Sequence, residues 1–234
     1  MNNILIDYMK KRFQHEGSKS FIKPTTTGPV VTISREYGCP AKRIAGKLSS
    51  ALNRIELENY KKDRWQWISK EILDESAKEL HLDTKMVRNI ANKEHYGVID
   101  DIVLSLSEKK YPGDLKIKKT IGEVIRSFAE QGHMIIVGRG GVSITRDMPQ
   151  SLHIRIMAPL EWRINNVSKN HMISLSDAKK KISHIDAQRA LIREYFEGKK
   201  VADDSFDVIY NYMTLEEEDI IASIIQLMET KDLI

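Results

Sequence analysis

The stretch VVTISREYGCPAKRIA, residues 30–45, decides how the rest of the chain is interpreted. It begins with a run of β-branched residues, Val30 to Ile33, which is typical of a short buried strand. A polar loop containing Gly38 follows, and then Ile44 and Ala45 start the apolar face of a helix. A loop between a strand and a helix can direct backbone N–H groups and the positive helix end at a phosphate. This stretch therefore predicts a strand–loop–helix unit. The P-loop pattern GxxxxGK(S/T) is absent, so the residues alone leave two interpretations open: a phosphate-binding loop, or an ordinary β–α connection whose cations are solvated.

Three further apolar runs have the length of buried strands. They cover residues 134–137, 152–157 and 206–210, and amphipathic helical patterns separate them. Thr214 and Glu217 have the spacing of a capping box before the last helix. We therefore predict an α/β fold, a parallel sheet with helices on both faces. In such a sheet ligands bind at the carboxyl ends of the strands.

The same patterns divide the chain into an arm and a main domain. The predicted arm covers residues 1–28, and the predicted domain covers 29–234, with a helical insertion at about 60–112. The apolar residues of the arm have a helical spacing: Ile4, Leu5, Met9 and Phe13. We expect this stripe to pack against the core or against a second copy in a homo-oligomer.

Composition narrows the class of protein. The chain has 234 residues, 37 of them basic and 33 acidic, and the resulting charge of +4 is too mild to favour a nucleic-acid-binding protein. No stretch approaches the roughly 20 apolar residues that a membrane span needs. Cys39 is the single cysteine, so an intrachain disulfide is excluded and a reducing compartment is favoured. We expect a cytoplasmic protein without a membrane partner.

Several blocks of the sequence resemble the cytidylate kinase-like family, in that family's order and spacing. The blocks are TISREYG (32–38), IIVGRG (135–140), APLEWRI (158–164), IDAQRALIREYF (185–196) and DDSFDVIYN (203–211). The resemblance implies a nucleoside-monophosphate-kinase-like fold, which is a P-loop NTPase-like parallel sheet with helices on both faces, and it implies a lid at about 160–200. It also implies a nucleotide kinase activity. ATP would donate its γ-phosphoryl group, with Mg²⁺, to a nucleoside monophosphate such as CMP. Such chemistry needs positioned cations and oriented amides more than covalent work by the protein.

Candidate site residues follow from the loop and from this resemblance. The candidate catalytic residues are Lys42, Arg139, Arg163 and Arg189. The candidate nucleotide- and phosphate-binding residues are Ser34, Arg35, Glu36, Tyr37, Gly38, Cys39, Lys42, Arg43, Gly138 and Arg193. No residue is assigned as a metal ligand, because the seven histidines lack metal-ligand spacing.

Alternatives remain open for the arginines. Arg139 could close a turn against a carboxylate instead of contacting a nucleotide. Arg189 and Arg193 share one helix face, and either could pair with Asp186 or Glu194 as a solvated ion pair. Asp186 is itself a candidate for metal or ribose contacts.

The loop departs from the family pattern, which resembles GSGGR where this chain has Gly38-Cys39-Pro40-Ala41-Lys42. Pro40 lacks a backbone donor, and Ala41 resists the left-handed conformation that glycine adopts easily. We therefore expect nucleotide binding with slow turnover. The alternative is a non-catalytic nucleotide- or anion-binding protein on the same fold.

Overall fold

The computed structural model describes residues 4–5, 28–58, 64–71, 73 and 115–234, with the backbone alone at 115–118. Its strands form one sheet with the order β2-β3-β1-β4-β5, and every neighbouring pair is parallel. They are β1 (Val30–Arg35), β2 (Gln66–Ile68), β3 (Met134–Val137), β4 (Ser151–Met157) and β5 (Val208–Asn211).

Helices connect the strands and cover the sheet. They are α1 (Ala41–Glu58), α2 (Leu115–Gln131), α3 (Gly141–Ile144), α4 (Leu160–His171), α5 (Leu175–Glu197) and α6 (Glu217–Thr230). The prediction of an α/β parallel sheet flanked by helices is confirmed. No helix in the described ranges is both long and apolar enough to cross a membrane.

The two faces of the sheet differ because side chains alternate along each strand. Val31 and Ile33 of β1 point into the main apolar core with residues of α1 and α6. On the opposite face, Thr32 Oγ1 lies 2.8 Å from Nδ1 of buried His153. Burial lowers the pKa of His153 to about 4, so the ring is neutral near pH 7.

The start of α6 differs from the predicted capping box. Thr214 Oγ1 donates to the carbonyl oxygen of Asn211 at 3.3 Å, and the N-cap position, Glu216, makes no side-chain capping bond. Glu217 is buried and its carboxylate pairs instead with Lys47 of α1 at 2.8 Å. A tertiary ion pair has replaced the local cap.

The predicted arm and helical insertion fall mainly outside the described residues. Within the arm, Leu5 is fully buried, so this part of its apolar stripe is covered. Met9 and Phe13 lie outside the described residues, as does most of 60–112. The division into an arm and a main domain stays a prediction.

Candidate phosphate-binding site

Two adjoining cavities lie at the carboxyl edge of the sheet, where β1, β3 and β4 end. They share a wall formed by Ser34, Arg35, Arg189 and Arg193. The first cavity adds Gly138, Arg139, Gly140 and Ile192, and the second adds Glu36, Arg155 and Asp186. This edge is where a parallel sheet places its ligands. The lining contains five arginines and two carboxylates, so its local charge is strongly positive.

The arginines of the shared wall repel one another. Burial, followed by the nearby charge of Arg189, lowers the pKa of Arg35 to about 10. Burial also lowers the pKa values of Arg189 and Arg193. All three stay charged at pH 7, and neither Arg35 nor Arg193 forms an ion pair with any described residue. A bound anion would relieve this repulsion, which is the electrostatic signature of a binding site.

The loop after β3 has an unusual backbone. Gly138, Arg139 and Gly140 are all left-handed, with φ values of 76°, 55° and 73°. A Cβ at Gly138 would lie 1.9 Å from Nη1 of Arg35, and one at Gly140 would lie 2.5 Å from Cδ2 of Phe196. Glycine is required at both positions because the backbone must accept these close neighbours as well as a positive φ. This loop brings Arg35 and Arg139 to the same cavity.

The loop after β1 uses its backbone donors internally. The amide of Tyr37 donates to Asp186 Oδ1 at 2.7 Å. The amides of Cys39 and Ala41 donate to the carbonyl oxygens of Glu36 and Cys39 at 3.2 and 3.0 Å. A phosphate-binding nest needs such amides to converge on the ligand. In this structure three of them bond to the protein itself.

Helix α4 covers the same loop. A Cβ at Gly38 would lie 3.2 Å from Cγ2 of Val167 and 3.3 Å from Cβ of Arg163. Asn166 Nδ2 donates to the carbonyl oxygen of Gly38 at 3.0 Å. Gly38, with a φ of 100°, is left-handed, whereas Ala41 begins α1 without a positive φ. Ala41 therefore does not adopt the left-handed conformation that alanine resists.

Arg163 holds the loop in place. Its guanidinium is buried and lies 3.1 Å from Glu36 Oε2 and 2.8 Å from Asp186 Oδ2. It also donates to the carbonyl oxygens of Ala158 and Tyr37, at 3.0 and 3.2 Å. Arg163 lines neither cavity. In this arrangement it is a positioning residue between the loop, α4 and α5.

The two cations that follow the loop point elsewhere. Lys42 Nζ lies 3.3 Å from a carboxylate oxygen of Glu71, and its side chain is half exposed. Arg43 Nε lies 2.5 Å from Glu217, and its Nη2 donates to the Tyr212 hydroxyl at 2.8 Å. Neither side chain lines the cavities, because the first turn of α1 directs Lys42 to Glu71, beyond the end of β2, and Arg43 to α6.

Cys39 and Tyr37 form part of the covered loop. Burial raises the pKa of Cys39 to about 12, so its thiol is not a nucleophile at pH 7. Cζ of Arg189 lies 5.5 Å from the centroid of the Tyr37 ring, and Nζ of Lys181 lies 5.8 Å from it. The Tyr37 hydroxyl lies 3.1 Å from His171 Nε2. The ring therefore packs against α4 and α5.

Of the candidate residues, the cavities bring together Ser34, Arg35, Glu36, Gly138, Arg139, Arg189 and Arg193. They leave out Tyr37, Gly38, Cys39, Lys42, Arg43 and Arg163. Sequence reasoning missed Arg155, which lines the second cavity and pairs with Glu36 at 3.6 Å and with Asp203. Its signal was a charged residue near the carboxyl end of a parallel strand.

The described residues form no dedicated metal site. No three His, Cys, Asp or Glu residues in the described ranges are grouped to hold an ion. Glu36 and Asp186 face the second cavity, but arginines already occupy their oxygens. Mg²⁺ is commonly held by one or two carboxylates together with substrate phosphates and water. These two carboxylates would have to exchange arginine partners to do so.

Comparisons with known proteins give the following similarities. The sequence model of the cytidylate kinase-like family matches residues 30–212. An uncharacterized protein from Eubacterium ventriosum ATCC 27560 has 18% identity and a TM-score of 0.60, covering 86% of this chain and 98% of its own. That similarity bears on the fold alone. Dephospho-CoA kinase from Campylobacter jejuni has 17% identity over 88% of this chain and 98% of its own, with a TM-score of 0.38, which is too low to support an argument. No curated protein matches the chain.

Proposed function

This chain belongs to the cytidylate kinase-like family, and from that premise we propose that it is an ATP-dependent nucleotide kinase. Its cavities would bind the phosphoryl groups of ATP and of a nucleoside monophosphate, with CMP as a candidate acceptor. Mg²⁺ would enter with the nucleotide, which supplies most of its ligands. The metal would offset charge on the phosphates.

The observation that carries this proposal is the convergence of Arg35, Arg139, Arg189 and Arg193 on one cavity that has no carboxylate in its lining. Positively charged groups fixed before the ligand arrives stabilise the charge that is spread over a transferring phosphoryl group. Arginine suits this role because it presents several donors in a planar fork. Arg35 and Arg193 are not neutralised by a described carboxylate, so their charge is available to a ligand.

The second cavity has a different chemistry. Glu36 and Asp186 line it together with Arg155, and the buried Ser34 side chain stands between the two cavities. Mixed acceptors and donors suit the hydroxyl groups of a sugar as well as a second phosphate. We infer that donor and acceptor phosphates meet near Ser34, with the nucleosides extending outward on either side.

A nucleotide- or anion-binding protein without turnover is the second candidate. It is favoured by the loop after β1, whose Tyr37, Cys39 and Ala41 amides already bond within the protein. Guanidinium groups alone stabilise bound substrate and transition state more equally than an oriented set of amides would. Binding would then persist while turnover falls.

Calorimetric titration and an assay for ADP release separate the two candidates. Each should be run with Mg·ATP and every nucleoside monophosphate on the wild type, Arg193→Gln and Lys180→Gln. Arg193→Gln should weaken binding about tenfold, since a charge-assisted bond contributes roughly 1.5–3 kcal/mol. Lys180→Gln removes the same charge from an exposed position of the same helix, so it should bind as the wild type does.

The outcomes are distinct. Acceptor-dependent ADP release that Arg193→Gln reduces supports the kinase. Tight binding without ADP release supports the binding protein. If the wild type and Arg193→Gln bind these nucleotides with equal affinity, the arginine-lined cavity is not the nucleotide site and the proposal fails.

A further inference from the structure

The Asp186 carboxylate on α5 accepts hydrogen bonds from the types of donor that also bind phosphate groups. Its Oδ1 accepts from the Tyr37 amide at 2.7 Å, and its Oδ2 accepts from Arg163 Nη1 at 2.8 Å. Arg189 Nη1 lies 3.7 Å from Oδ1. One backbone amide of the loop and two guanidinium groups therefore surround a single carboxylate. The same combination of donors commonly surrounds bound phosphate in proteins.

This carboxylate is at the site and not merely near it. Asp186 lines the second cavity together with Arg155 and Arg193, and its side chain is 27% exposed. A ligand anion that entered this cavity would lie within a few ångströms of the carboxylate. Two negative groups at that separation repel each other. Both also accept hydrogen bonds from the same amide and guanidinium donors, so the ligand and Asp186 compete for these donors.

We propose that Asp186, on α5, determines the affinity of the loop after β1 for phosphate: its carboxylate is a resident anion that a ligand phosphate must displace to reach the Tyr37 amide and Arg163. The ligand class is a phosphate monoester or polyphosphate, and its identification as a nucleotide rests on the function proposed above. The closed contact between α5 and the loop is thus the ligand-free state of the site. Asp186 lowers the affinity for phosphate and keeps the loop ordered without it.

A purely structural role for Asp186 makes the opposite prediction. If the carboxylate only ties α5 to the loop, removing its charge loosens the site and weakens ligand binding. If it competes with the ligand, removing its charge strengthens binding. In an Asp186→Asn variant, Arg163 would still pair with Glu36, which lies 3.1 Å away in the wild type, so one ion pair would continue to hold the loop.

The test compares Asp186→Asn with Asp203→Asn by calorimetric titration, using inorganic phosphate and, separately, ATP. Asp203→Asn is the matched control because Asp203 pairs with Arg155 of the same cavity but is exposed and does not touch the loop. Asp186→Asn should tighten phosphate and ATP binding about tenfold, the order expected from removing one unit charge a few ångströms from an anion. Asp203→Asn should change it less than threefold. Unchanged or weaker binding in Asp186→Asn, or equal tightening in both variants, overturns the proposal.

A second measurement uses the wild-type chain and does not depend on a variant that folds. In ¹⁵N-labelled protein, saturating phosphate should move the Tyr37 amide resonance as its acceptor changes from Asp186 to phosphate. The Val30 amide is the internal reference, because it donates to the carbonyl oxygen of Gln150 at 2.9 Å at the opposite end of β1 from the cavities. A Tyr37 resonance that does not move at saturation overturns the proposal. Phosphate binding with this shift but without nucleotide binding would leave the Asp186 inference in place and end the proposed kinase function.

Discussion

The loops that follow β1 and β3 meet at one edge of the sheet, yet they prepare it in different ways. The loop after β1 has its amides bonded to Asp186 and to its own carbonyl groups, and α4 covers it. The loop after β3 is left-handed at three successive residues and presents Arg139 to an arginine-lined cavity. The comparison shows that the backbone amides of the first loop are already hydrogen-bonded within the protein. A bound phosphate would therefore be held mainly by arginine side chains.

The largest expected effect tests the need for glycine in the loop after β3. Gly140→Ala should lower the free energy of unfolding by about 3 kcal/mol, since it combines a left-handed alanine with a clash against the Phe196 ring. Gly198→Ala is the matched control, because it has a φ of 74° but nothing within 4 Å of its Cβ. The control should lose only about 1 kcal/mol. Equal losses in chemical denaturation would show that the Phe196 contact contributes nothing.

Lowering the pH should reduce the free energy of unfolding, because His153 is buried in the sheet that carries both loops. The pKa of His153 is about 4 in the folded protein against 6.5 for an ordinary histidine, so the unfolded chain binds the extra proton between these values. Stability should therefore fall by up to roughly 3 kcal/mol as the pH drops from 6.5 to 4. Denaturation curves of His153→Asn should lack this part of the pH dependence. A wild-type curve that is flat in this window would contradict a neutral, buried His153.

A direct comparison of the two loops replaces one cation in each. Arg139→Gly removes the guanidinium without straining a residue whose φ is 55°, and it should weaken ATP binding about tenfold. Lys42→Ala should change ATP binding less than threefold, because Lys42 pairs with Glu71 outside the cavities. Titration calorimetry measures both. A larger loss of ATP affinity in Lys42→Ala than in Arg139→Gly would indicate that the loop after β1, and not the arginine-lined cavity, binds the phosphates.

The smallest effects are expected inside the loop after β1. Pro40→Gly restores one backbone donor and should raise turnover about two- to fivefold, more than it raises affinity. Ala41→Gly should raise neither, and it should destabilise α1 by about 1 kcal/mol because Ala41 is its first residue. Steady-state kinetics and thermal unfolding of the two single variants distinguish these outcomes. A gain in turnover from Ala41→Gly would mean that the loop changes conformation when it binds a nucleotide.

The sequence predicted the sheet well and the site in part. Apolar runs such as Val30–Ile33 and Met134–Val137 are read directly, because burial on both faces requires an unbroken apolar stretch. The edge at which Ser34 and Arg139 meet also follows from parallel topology. The same reasoning could not show that Arg163 pairs with Glu36 and Asp186, since those partners come from separate elements.

What the sequence alone determined is therefore local or periodic: four of the five strands, most helices and the family, whereas the short strand β2 was not among the predicted strands. Only the tertiary structure decided how each cation is used. Lys42 and Arg43 follow the loop in sequence, but the first turn of α1 directs them to Glu71 and Glu217. Arg155, which was not among the candidate residues, lines the second cavity. The physical reason is that a long cationic side chain takes the nearest uncompensated carboxylate or cavity, and distance in space is fixed by the packing of the elements rather than by their order in the chain.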